Sequence, residues 1–81
     1  MMTERVLARA VSEYPASDRA SARAMIERLS AELSMWHEVR GGDRVELAAL
    51  TFAGGDLARL HDAVDLALRD WRDLLVAVGD A

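Results

Sequence analysis

Few side chains in this 81-residue sequence could do chemistry, and their spacing sets what that chemistry would be. His61 and Asp65, four apart, would share a helix face and could offer two ligands to one metal; Ser34 and His37, three apart, could pair a hydroxyl with a base. Two ligands do not make a metal site. The di-iron helix pattern requires Glu three residues before His, where this sequence has Ser34 and Ala58. Ser30 and Ser34 come with neither a strained elbow nor an oxyanion hole. Asp62, Asp65, Asp70 and Asp73 fall mainly on a solvent face and do not read as a glycosidase pair. His37 and His61 read instead as core-edge histidines with their polar sides solvated. The expectation is a protein that is not an enzyme and holds no metal or other cofactor.

Composition removes further classes. The absence of Cys excludes disulfides, thiolate zinc sites and cysteine nucleophiles. All ten basic residues are Arg, so Schiff-base chemistry and a phosphate-loop lysine are excluded too. The net charge of −4 is uneven: residues 1 to 31 carry five Arg against four acids, residues 32 to 81 five Arg against ten. That balance opposes phosphate binding, and direct contact with nucleic acid is not expected. A helix-turn-helix over Val45 to Val64 fails on the same ground, since its second helix would begin DLARLHDAVD. Gly41-Gly42 and Gly54-Gly55 read as turns, without the strand and lysine of a phosphate cradle. MMTERVLARA has no apolar signal segment and no run reaches 18 apolar residues, which points to a cytoplasmic protein without a membrane span.

The elements that position these residues are helices. Val6, Leu7, Ala10, Val11 and Tyr14 form one stripe of a helix from about Thr3 to Tyr14, ended by Pro15. Ser17 or Asp18 would cap a second helix running to about Val39, with Ala22, Met25, Ile26, Leu29, Leu33 and Trp36 on its apolar stripe. Asp43 to Ala53 is short enough for a strand through Thr51-Phe52, but the Asp43 and Glu46 spacing resembles a capping box and no second strand is visible to pair with it. A short helix is favoured. Asp56 then caps the longest element, Leu57 to Val78. Its unbroken heptads put Leu57, Val64, Trp71 and Val78 at one position and Leu60, Ala67 and Leu74 at another, with His61, Leu68 and Leu75 beside them. Asp65 precedes Arg69 by four residues, in the favourable direction for an ion pair.

The expected fold is all-α: one domain over residues 1 to 81, a compact three- or four-helix bundle with a long C-terminal helix. Its core should join Leu29, Leu33 and Trp36 to Leu60, Val64, Leu68, Trp71 and Leu75. Removing a buried Trp71 ring would cost on the order of 3 to 5 kcal/mol. The segment GGDLARLHDAVDLALRDWRDLLVAVG, Gly54 to Gly79, resembles the C-terminal part of small bacterial proteins of uncharacterised activity that finish on a similar Asp-Trp-Arg-Asp-Leu-Leu run. The resemblance covers about a third of the chain and implies a recurring structural tail, with no functional residue carried over.

Met35, Leu66 and Val76 lie off the core stripes, and a second buried surface would account for all three, supplied either by another helix of the chain or by a partner. The functional expectation is a non-catalytic protein-interaction module, a homo-oligomer or an accessory subunit of a larger partner. The alternative is an acidic, nucleic-acid-associated regulator or antidote that occupies a basic site on a toxin or DNA-binding enzyme.

Overall fold

Thr3 opens the first helix by accepting the backbone N–H of Val6 at 3.4 Å, so one of the orphan donors of the first turn is satisfied. The computed structural model describes residues 3–35 and 43–79, and among them places four helices: α1 (Glu4–Glu13), α2 (Ala16–Leu33), α3 (Arg44–Ala53) and α4 (Leu57–Ala77). The protein is an all-α bundle whose last helix is long. Pro15 both ends α1 and begins α2: its carbonyl accepts from Asp18 and Arg19, so α2 starts before the expected Ser17 or Asp18 cap. At its other end α2 stops at Leu33, short of the expected Val39. Trp36 and His37, placed by their spacing on this helix, lie outside the described residues.

The segment expected to be a short helix is one, over Arg44–Ala53, and no strand occurs among the described residues. The expected capping box is not formed. Asp43 makes no side-chain cap bond, because its carboxylate is recruited by Arg5 and Thr3, and Glu46 is recruited by Ser30. Gly54 ends α3 with φ +58°, the left-handed conformation that glycine takes without a Cβ penalty. Asp56 caps α4 as its position predicts, accepting from the Arg59 N–H at 3.1 Å.

Contrary to the unbroken heptads, α4 is interrupted. Asp70 is extended, with φ −159° and ψ 99°, and its Oδ1 accepts the Arg72 N–H at 3.0 Å. Asp70 thus caps a fresh helical segment, and Asp73 stands at the third position, where an acidic residue favours a helix start. The D-W-R-D run carried that signal within the sequence.

Side-chain contacts fix the sense of each helix. Arg5 meets Asp43, Arg9 meets Leu47 and Thr51, and the backbone of Glu13 lies against Gly55, in that order, so α1 runs in the same direction as α3. From Pro15, beside the α3–α4 turn, α2 returns until Ser30 meets Glu46 near the start of α3. The glycine turn reverses α4 against α3, and Val78 and Gly79 line a groove with Arg44 and Leu47. Consequently α2 and α4 finish at the same end of the bundle.

The shared core holds Val6, Tyr14, Ile26, Leu29, Leu33, Leu50, Leu60, Val64, Leu74 and Leu75, with alanines filling the close approach of α3 to α4. Leu29, Leu33, Leu60, Val64 and Leu75 are buried as their spacing predicts. Leu68 and Trp71 are half-buried at the core margin rather than inside it.

Candidate interaction surface

Met35 and Val76 are the most exposed large apolar residues among those described, at 75% and 65%. Met35 follows the end of α2, and Val76 sits in the last turn of α4, at the end of the bundle that both helices reach. The third residue expected to face away from the core does not. Leu66 is half-buried and packs against the core cluster, because a helix crossed by both α2 and α3 has more than one covered side. Val11 departs the other way: its spacing puts it on the α1 stripe, yet it is 53% exposed. There it borders a groove of about 330 Å³ with Leu7, Ala10 and Ala20, rimmed by Arg19 and Arg23.

Polar side chains tie the helices together more than the sequence suggests. Asp43 is 3% exposed and accepts from the Thr3 hydroxyl and from Arg5, whose Nη2 lies 2.5 Å from Oδ1. The Arg5 guanidinium and the Thr3 hydroxyl hold the Asp43 carboxyl below the usual carboxylate range. A depressed folded value means that this contribution to stability is complete above the unfolded value, about 3.9, and is lost as pH falls through the folded one. Asp43→Asn is therefore expected to cost about 1 to 2 kcal/mol at neutral pH and to flatten the decline of stability on acidification. Urea midpoints of both proteins measured from neutral pH downwards check this; parallel curves would remove Asp43 from the acid response.

Arg19 donates to the carbonyls of Val11 and Tyr14 at 3.2 and 3.1 Å, and Arg59 to that of Phe52 at 3.1 and 3.0 Å, each satisfying acceptors at a helix end. Arg59 also lies 4.9 Å from the Phe52 ring centroid. Ser30 donates to Glu46 Oε2 at 2.9 Å inside the α2–α3 contact, leaving Oε1 buried without a partner. The Tyr14 hydroxyl is likewise buried and unpartnered, and burial followed by the charges of Glu13 and Asp56 raises its pKa.

The anticipated ion pair between Asp65 and Arg69 is not made. Asp65 lies instead 3.6 Å from His61 Nδ1, on an exposed stretch of α4. Arg69 shares with Arg28 of α2, Asp65 and Leu68 an open groove of about 490 Å³. Ser34 donates to the Ala31 carbonyl at 2.7 Å. Among the described residues no group of three or more His, Asp or Glu side chains is gathered to hold a metal, and no helix is long and apolar enough to cross a membrane. Against models of protein families, curated proteins and solved structures, the chain shows no match.

Proposed function

We propose that the chain is a non-catalytic helical interaction module of the cytoplasm, which self-associates or serves as an accessory subunit of a larger protein. The observation that carries this reading is the pair Met35 and Val76, two large apolar side chains left in water at the end of the bundle where α2 and α4 both finish. A bundle of this size buries a modest share of its surface, and partner contact at such a patch adds to a small core.

Met35→Lys with Val76→Asp should leave the fold almost unchanged, since exposed substitutions usually alter stability by about 0.5 kcal/mol or less. The assembly should change. Light scattering is expected to give wild-type particles heavier than the 8.9 kDa chain, and the double variant is expected to return that single-chain mass. A wild type that stays at one chain across concentration, with partner capture unchanged in the double variant, overturns the reading.

The exposed carboxylates Asp62, Asp70 and Asp73 of α4 support a second reading, an acidic regulator or antidote that covers a basic site on a toxin or DNA-binding enzyme. Its binding would weaken steeply with added salt, whereas docking through Met35 and Val76 would not.

A further inference from the structure

Nine arginines lie in the described residues, and two of them, Arg28 and Arg69, make no hydrogen bond, ion pair or ring contact there. Arg5, Arg9 and Arg23 pair with carboxylates and Arg19 and Arg59 with backbone carbonyls, so a described arginine with no such contact is the exception. These two exceptions line the same groove, one from α2 and the other from α4, with Leu68 as its apolar wall. Two guanidiniums around one groove repel each other unless an anion lies between them. Asp65, the acid in the groove, is turned toward His61 and makes no ion pair with either arginine.

We propose that this groove receives an acidic segment of a partner protein, with carboxylate side chains between Arg28 and Arg69 and an apolar side chain against Leu68. The proposal rests on the interaction-module reading and names its partner by charge. A guanidinium presents paired N–H donors that match a carboxylate, and such charge-assisted bonds are roughly twice as strong as neutral ones. Phosphate presents similar oxygens, but the Asp65 carboxylate in the groove repels a doubly charged phosphate more than a singly charged carboxylate at the same place.

The test uses a fluorescein-labelled peptide, Glu-Glu-Leu-Glu-Glu, titrated with the full chain and followed by anisotropy. Its Lys-Lys-Leu-Lys-Lys counterpart is the charge control. The acidic peptide is expected to bind and the basic one not. Arg28→Gln with Arg69→Gln is expected to weaken binding about tenfold or more, while Arg23→Gln, at an arginine already paired with Glu27, changes it by less than about twofold. No binding of the acidic peptide, or equal binding by the Arg28→Gln/Arg69→Gln protein, overturns the proposal. Displacement by inorganic phosphate as effective as by unlabelled peptide also overturns it and makes the groove a phosphate site. Neither Met35 nor Val76 is touched by these substitutions, so a normal wild-type assembly with a failed titration rejects the groove and leaves the module reading in place.

Discussion

Gly55→Ala is expected to destabilise the protein by about 3 kcal/mol, and Gly54→Ala by about 1 kcal/mol, although the two glycines are neighbours in one turn. Both have positive φ, +58° at Gly54 and +87° at Gly55, so an added side chain strains the backbone at each. The space around them differs. A Cβ at Gly54 would meet nothing within 4 Å, whereas one at Gly55 would stand 2.9 Å from the Glu13 carbonyl oxygen. That oxygen belongs to the end of α1 and cannot rotate away as a flexible side chain would. Relieving the clash requires α1 to move off the α3–α4 turn, which disturbs the contacts of Tyr14 as well. For a domain of this size the Gly55 variant should melt lower by on the order of 15 °C. Equal melting temperatures for the two variants would show that the turn does not press on α1.

Leu74→Ala should cost more than Trp71→Ala, although indole is much the larger side chain. Leu74 has no exposed surface, and its truncation leaves a cavity among close-packed neighbours, a loss of about 2 to 5 kcal/mol. Trp71 is half-buried, with the Arg72 guanidinium 5.2 Å from its ring centroid, so about 1 to 2 kcal/mol is expected. This reverses the rank that heptad spacing suggests, which makes Trp71 a core anchor of a straight helix. The reversal follows from Asp70, whose extended backbone resets the helix immediately before Trp71. Chemical denaturation of both variants decides the matter; a larger loss for Trp71→Ala would favour the straight helix.

Local signals were legible where a residue acts on its own neighbours. The Asp56 cap, the stops at Pro15 and Gly54, and the buried stripe through Leu60, Val64 and Leu75 all follow from short-range geometry. Asp43 shows where that legibility ends. Its spacing from Glu46 satisfies a local motif, but Arg5 and Thr3 reach it across 38 and 40 residues and outcompete the cap. Asp70 was open to a local reading and obscured by periodicity, because an acid beside Arg69 looks like solvent face until the acid three positions on is counted. Leu66 depends on which helices cross α4, which periodicity within one helix does not encode. For the candidate surfaces the division is similar: Met35 and Val76 stand out by their distance from a stripe, whereas the isolation of Arg28 and Arg69 exists only once the other described arginines have found their contacts.

The placement of α1 bears on how the molecule comes apart. This helix packs on α2 and α3 with no close backbone approach to α4, while α3 and α4, joined by a short glycine turn, share the most extensive packing in the bundle. Undocking α1 leaves the α3–α4 pair assembled but breaks the tethers at Arg5 and Arg9 and exposes Val6, Ala10 and Tyr14. Native-state fluctuations will be graded, with α1 amides exchanging with solvent through a partial opening and those at the α3–α4 contact through global unfolding. An element that opens before the α3–α4 contact would give so small a bundle a second accessible shape while that helix pair stays assembled.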